Sequence, residues 1–444
     1  MSVFKAYDIR GIYGKQIDAA LAERIGRAFV AETGARTVVV GRDMRPCAPE
    51  IAGALIDGLR NGGADVTDIG LCATPMLSFA LGHGRFQGGI MVTASHNPAE
   101  YIGLKLARAG AVPLSREEGI AAIEKRTQEG DLPKASRRGA VRTGDFRDAY
   151  VDMVARHAHF QRRLKIVVDA GNGMGGYEFP LVAKRLDLDV VPLFFELDGT
   201  FPNHEANPLD HHTLGTLRER VVAERADLGI AFDGDADRAG FVDEKGGIVT
   251  NDLATALMAA DILAREKGPV VYDLRSSRAL PEEIRKHGGR PVRGRVGHSF
   301  MKKTMREEQC VFGGEYSGHY YFRENFNTES ASLAVVAICN IVAAGRTPLS
   351  ERLKPLRRYL QTGEVNFRVE DKQGRMEAVE AAFPDAEIDW LDGVTVQYAD
   401  WWCNVRPSNT EPYLRLNLEA NDKATFERAK QRVFALLGTP VQRI

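Results

Sequence analysis

Residues 228–242 read Leu-Gly-Ile-Ala-Phe-Asp-Gly-Asp-Ala-Asp-Arg-Ala-Gly-Phe-Val. The first five are apolar or small and suit a strand covered on both faces. Asp233, Asp235 and Asp237 then alternate at i, i+2 and i+4 before a second strand-like run, 240–242. Three carboxylates this close repel one another and need a cation, and hard oxygen ligands favour Mg2+ or Ca2+ over zinc. A solvated acidic turn is the plain alternative, but it does not account for the apolar run directly before it. An EF-hand fits in part, with Asp233, Asp235, Asp237 and Glu244 at loop positions 1, 3, 5 and 12. It fails at position 6, where Arg238 replaces the glycine of the sharp turn, and on its strand-like flanks.

Working outward, the same texture recurs. Strand-like runs ending in a polar turn fall at 37–42, 165–169 and 269–273, each followed by a second at 65–69, 189–193 and 290–293. Third strands are expected at 89–92, 228–232 and 309–312. One strand–helix–strand–strand unit therefore occurs three times, the pattern of related α/β domains. The third strands lead into Thr93-Ala94-Ser95-His96-Asn97-Pro98, Asp233 to Arg238, and Gly314-Glu315-Tyr316-Ser317-Gly318-His319. Loops at the carboxyl ends of such strands are where α/β sheets bind ligands, so the three can converge on one cleft. Beyond about residue 355 the pattern changes to alternating segments at 363–369, 394–398 and 414–418 with a closing helix at 422–437, a smaller α+β domain. The expected domains are 1–144, 145–246, 247–354 and 355–444.

Composition agrees with a multidomain soluble protein: 444 residues, 44% hydrophobic and 27% charged. The formal net charge of -1 offers no overall basic field for nucleic acid. Five scattered cysteines without a CxxC pair argue against a disulfide framework and for a reducing compartment. No apolar run is long enough to span a bilayer and no signal-like segment opens the chain, so a cytoplasmic protein without a membrane partner is expected. Oligomeric state is left open.

Ser95 follows an apolar strand in a turn forced by Asn97-Pro98, which suits either an exposed nucleophile or a serine that only bonds backbone. No Gly-x-Ser-x-Gly elbow surrounds it, so a hydrolase triad has no support. Arg406-Pro407-Ser408-Asn409-Thr410 gathers one guanidinium, two hydroxyls and an amide, donors that suit a phosphate. Glu315, Ser317 and His319 offer partners for sugar hydroxyls. Gly171-Asn172-Gly173-Met174-Gly175-Gly176 fits the dinucleotide fingerprint, but Pro180 is expected to interrupt the helix that should receive the pyrophosphate. Leu197-Asp198-Gly199-Thr200 has Glu196 where an aspartyl-phosphate motif needs its nucleophile, and His204, Glu205, His211 and His212 lack metal-ligand spacing.

Together the four loops, in this order along essentially the whole chain, resemble the α-D-phosphohexomutase superfamily, in particular its phosphomannomutase/phosphoglucomutase branch. The resemblance implies four domains around a central cleft and a phosphoserine at Ser95, with Ser95, Asp233, Asp235 and Asp237 on Mg2+. Arg10, in Lys5-Ala6-Tyr7-Asp8-Ile9-Arg10-Gly11, and Arg238 are implied to neutralise the transferring group, and Lys105 and His298 to assist proton transfer. Tyr7, Arg275, Glu315, Ser317, Arg406, Ser408, Asn409 and Thr410 are implied to bind substrate. Arg275 stands where many relatives have lysine, keeping the charge but not the geometry. The implied reaction interconverts hexose 1-phosphate and hexose 6-phosphate of mannose or glucose, with the hexose 1,6-bisphosphate as intermediate and activator. The alternatives are a metal-dependent sugar phosphatase using the same serine and a nicotinamide dehydrogenase built on 171–176.

Overall fold

The computed structural model describes residues 2–129, 132, 134–408 and 412–441. Four sheets follow one another along the chain. In the first, Thr37–Arg42 pairs in parallel with Asp65–Leu71 on one side and Gly88–Val92 on the other, and Tyr101–Arg108 adds antiparallel to the latter. The second repeats this with Lys165–Asp169 between Asp189–Leu193 and Leu228–Phe232, followed by antiparallel Ala239–Asp243. The third does so with Pro269–Asp273 between Arg290–Gly294 and Phe312–Gly314, followed by antiparallel Tyr320–Phe322. The repeat read from sequence is thus one topology used three times. Its third copy is displaced from expectation: the strand is Phe312–Gly314, not 309–312, because Gln309 turns with a φ of 51° after the helix His298–Glu307. Ile248–Val249 pairs onto the second sheet, so that sheet reaches past the expected edge at 246.

Burial follows the sequence pattern. Gly88–Val92 and Leu228–Phe232 are buried at every position, as strands of a sheet covered by helices on both faces must be. The helix Ala331–Ala343, apolar but for Ser332 and Asn340, is buried at every residue, which marks it as interior. One hydrophobic core runs from Met76 and Phe79 through Phe179 and Phe232 to Val335 and Leu353, joining the first three units. The C-terminal sheet is antiparallel throughout and packs the helices Lys372–Ala381 and Lys423–Leu437 over a separate core that includes Phe367, Val396 and Leu416. Asp422 caps the last helix, its carboxylate accepting from the backbone N–H of Ala424 and Thr425. The helix Gly175–Leu186 runs through Pro180 without a break, so the expected interruption is not there. Among the described residues no helix is long and apolar enough to cross a membrane.

Candidate active site

Each repeat joins its third strand to the antiparallel fourth by a short loop, and each loop turns through one left-handed residue: Ser95 (φ 52°), Ala236 (φ 55°) and Gly318 (φ 86°). Two of the three are not glycine. That conformation is strained for them and persists only where the surroundings hold it.

Around Ser95 the holding is done by Arg45, which sequence reading did not single out. Its guanidinium is almost wholly buried (1% exposed) and donates to four carbonyls of the loop and its exit. Nη2 reaches the Ser95 and Asn97 oxygens (2.9 and 2.6 Å), and Nη1 those of Pro98 and Tyr101 (2.8 and 3.0 Å). Asp43 lies 3.3 Å from Arg45 Nε as its counter-charge, and the Phe201 ring from the second unit covers the guanidinium. Ser95 N–H donates to Thr93 Oγ1 (2.9 Å), and Arg10 bonds both Asn97 and Asp8.

The second loop lies against the first. Ser95 Oγ donates to Asp233 Oδ2 across 2.9 Å. Asp233 Oδ1 accepts from the backbone N–H of Asp237 and Arg238, folding the aspartates back on themselves. One carboxylate oxygen from each of Asp233, Asp235 and Asp237 lies within 4.8 Å of the others, and all three residues are buried. Gly234 allows the approach, since a Cβ there would stand 2.4 Å from the Ser95 carbonyl oxygen. Gly173 serves from behind: a Cβ would meet the Gly234 oxygen at 2.7 Å, and Met174 N–H donates to that oxygen at 2.9 Å. Gly173 therefore brings that loop's backbone against the aspartate loop. Lys105, on the strand leaving the serine loop, donates to Asp235 and Asp237 (2.6 and 2.5 Å), and Thr74 Oγ1 donates to Asp235 at 2.5 Å. Burial drives the Asp233 carboxyl well above its ordinary range, aided by Asp237 and Asp235. Burial opposes the charge on Lys105, but Asp235 and Asp237 outweigh it and hold the ammonium protonated.

The third loop closes on the second. Arg238 and His319 form an isolated antiparallel bridge, and Arg238 Nε lies 3.2 Å from His319 Nε2. His319 stands between Asp237 (3.3 Å) and Glu315 (3.2 Å), which outweigh its burial and raise it to about 9. Glu315 is itself buried, accepting from Gly297 N–H (2.9 Å) and the Tyr321 hydroxyl (2.5 Å). His298 shows the opposite behaviour: burial holds it well below the usual imidazole range, and its Nδ1 is buried without a partner among the described residues. Tyr7 packs edge-on against His298 at 5.6 Å between ring centroids, and its hydroxyl is pushed up to about 12 by burial and by Asp392.

A second cluster sits at the entry to the C-terminal sheet. Arg275 grips Asp273 through Nε and Nη2 (3.2 and 2.6 Å), and Asp273 also accepts from Tyr316 N–H (2.8 Å), tying this arginine to the third loop. Arg406 belongs to the strand Trp401–Pro407 rather than to the loop expected at 406–410, and pairs with Glu364, which Arg415 also reaches at 3.2 Å. Arg415 Nη2 lies 3.3 Å from Ser408 Oγ. Asn409 and Thr410 lie outside the described residues. The structure thus gathers Ser95, Asp233, Asp235, Asp237, Lys105, Arg238 and Arg10 at one point, Tyr7 and His298 beside them, and Arg275, Arg406 and Ser408 in the second cluster. His204, from the rejected zinc reading, is engaged with Asp169 at 3.0 Å.

Comparison with known proteins agrees along the whole chain. The domains described as phosphoglucomutase/phosphomannomutase alpha/beta/alpha domains I, II and III match residues 1–134, 148–247 and 250–359, and the C-terminal domain matches 364–436. The "phosphohexose mutases" protein of Xanthomonas campestris is 37% identical over 98% of this chain and 99% of its own length. The phosphomannomutase/phosphoglucomutase of Pseudomonas aeruginosa is 37% identical over 97% of this chain and 94% of its own. A crystal structure of a phosphoglucomutase/phosphomannomutase family protein from Burkholderia thailandensis superposes with a TM-score of 0.91 at 34% identity, covering 99% and 98% of the two chains.

Proposed function

This chain belongs to the phosphoglucomutase/phosphomannomutase family, and we propose that its phosphohexomutase reaction runs through Ser95, with mannose and glucose phosphates as the substrates to test first. The observation that carries the assignment is the 2.9 Å contact of Ser95 Oγ with Asp233, which puts the candidate phosphoryl carrier against the candidate metal loop.

The aspartate loop fits a hard divalent cation. Besides the clustered oxygens, Asp235 Oδ1 is buried with no hydrogen-bond partner among the described residues, a costly arrangement unless something positive meets it. Asp233, Asp235 and Asp237, with an oxygen of the phosphorylated Ser95, would hold Mg2+. Bound there, Mg2+ would offset charge on the phosphoryl oxygens.

The chain's own residues account for the rest. In the first half-reaction the free sugar hydroxyl oxygen forms a bond to phosphorus as the phosphorus–Ser95 Oγ bond breaks. The hydroxyl proton passes to a neighbouring base, for which the neutral imidazole of His298 is suited, and the bisphosphate remains in the cleft. After the bisphosphate turns in the cleft, Ser95 Oγ forms a bond to its other phosphorus as that phosphorus–sugar oxygen bond breaks. The serine hydroxyl proton ends on the freed sugar oxygen, with the Lys105 ammonium assisting that transfer. Arg10 on Asn97, Arg238 beside Asp233, and Lys105 on Asp235 and Asp237 set cations around the serine and aspartate loops, so charge stabilisation and positioning do most of the work. His319, between the second and third loops, is a further imidazole in reach of both. Glu315 and Ser317 would orient the sugar, while Arg275, Arg406 and Ser408 would receive the phosphate that is not reacting, with Tyr7 alongside. Among the described residues of the cleft, none favours the phosphatase alternative.

Intact-mass and peptide mapping should find a phosphoryl group on Ser95. Purified protein should convert mannose 1-phosphate or glucose 1-phosphate to the 6-phosphate, with added bisphosphate increasing the rate and Ser95→Ala abolishing it. Phosphate found wholly on another residue, or release of inorganic phosphate as the main product, would reject this assignment.

A further inference from the structure

Glu364 is a carboxylate where the proposed reading wants an anion. It stands between Leu360–Gln361 and Val365–Arg368, at the entry to the C-terminal sheet. Arg406 Nη2 donates to its Oε2, Arg415 Nη1 lies 3.2 Å from Oε1, and Arg275 Nη1 lies 3.8 Å from Oε2. One side chain therefore collects three guanidiniums, two from the C-terminal sheet and one from the third unit. Two carboxylate oxygens meet an arginine fork much as two phosphate oxygens do. The fit is incomplete: Arg406 Nε is buried with no hydrogen-bond partner among the described residues, a donor that Glu364 leaves unused. The cluster is thus drawn together by a carboxylate but carries more donor capacity than that carboxylate takes up.

Resting on the reading that this cluster receives the non-reacting phosphate, we propose that Glu364 is its internal counter-anion. It keeps the guanidiniums converged when no phosphate is bound and competes with the phosphate that arrives. Three arginines beside Glu364 and Asp273 leave a net charge of +1 on these five side chains, against a phosphate monoester dianion of roughly -2. Without Glu364 the same arginines would hold a phosphate more tightly. In a mutase that is a handicap, because the bisphosphate must release one phosphate from this site and present the other. Glu364 would thereby favour turnover over grip and hand the arginines from one phosphate to the next.

The test is Glu364→Gln, which keeps the shape and removes the charge. Inhibition by inorganic phosphate should strengthen by roughly tenfold, the hexose phosphate KM should fall in parallel, and kcat should fall because release is slower. The gain in phosphate affinity should shrink in high salt. If Glu364→Gln folds poorly, Glu364→Asp is read instead, with a smaller shift in the same direction. Weaker or unchanged phosphate inhibition in the folded variant overturns the proposal and makes Glu364 a residue that only orients the arginines. Arg406→Ala separates the two layers. Weakened phosphate inhibition there supports the phosphate-site reading whatever Glu364→Gln does, and unchanged inhibition overturns that reading together with this inference.

Discussion

Gly234→Ala tests whether the spacing between the serine and aspartate loops sets the rate. A Cβ at residue 234 would stand 2.4 Å from the Ser95 carbonyl oxygen, and the loops must part by at least about 0.6 Å to bring that contact to 3.0 Å. Neither side yields easily. The Ser95 carbonyl is held by Arg45, and Gly234 is backed by Gly173 and Met174. The displacement therefore falls on the 2.9 Å gap between Ser95 Oγ and Asp233. A misplacement near 1 Å costs on the order of a hundredfold in rate, or about 2.7 kcal/mol of barrier. We expect Gly234→Ala to lower kcat/KM by about that factor, with folding retained and Mg2+ affinity also reduced. Steady-state kinetics with added bisphosphate, a Mg2+ titration and a melting curve measure the three effects. Wild-type kcat/KM in a folded Gly234→Ala protein would refute the claim that this approach positions the reacting serine.

Three further outcomes are expected. Asp235→Asn removes one of the three clustered carboxylates, so Mg2+ affinity and turnover should fall by orders of magnitude; near-normal turnover at low Mg2+ would exclude Asp235 as a ligand. Arg45→Lys loses the fork that reaches four carbonyls, and should lower both melting temperature and Ser95 phosphorylation, whereas an intact phosphoserine level would show that the loop holds itself. Glu178 is buried against the Tyr150 and Ser332 hydroxyls, and burial raises its carboxyl to about 7, above its unfolded value. Its stability contribution is therefore full below pH 4.5 and lost as pH rises through about 7, a penalty of about 3 kcal/mol at pH 8. Glu178→Gln should accordingly gain melting temperature relative to wild type between pH 5 and pH 8, and parallel curves would contradict this.

Much of the architecture is legible in the sequence. Apolar runs ending in polar loops announced a unit used three times, because strands buried on both faces leave a local signature. The three alternating aspartates announced a buried carboxylate cluster able to hold a cation, because carboxylate repulsion is also local. Prediction slipped where tertiary packing overrode local pattern. The third strand formed at Phe312–Gly314, and Pro180 was accepted inside a helix. The C-terminal strand Trp401–Pro407 carries Arg406 into a sheet, although the sequence places it in the fourth loop.

The chain's linear order determined which chemical groups exist and which loop each belongs to. Which groups touch was decided only by folding. Arg45 looks like any arginine after a strand until four carbonyls converge on it, and Thr74 like any helix-start threonine until Asp235 arrives from another sheet. Glu364 shows no motif at all, since its three arginines lie at residues 275, 406 and 415. The physical reason is common to all three. Periodicity and turn chemistry act between neighbours in sequence, whereas the charge, distance and desolvation that make a site act between groups brought together only when separate sheets pack.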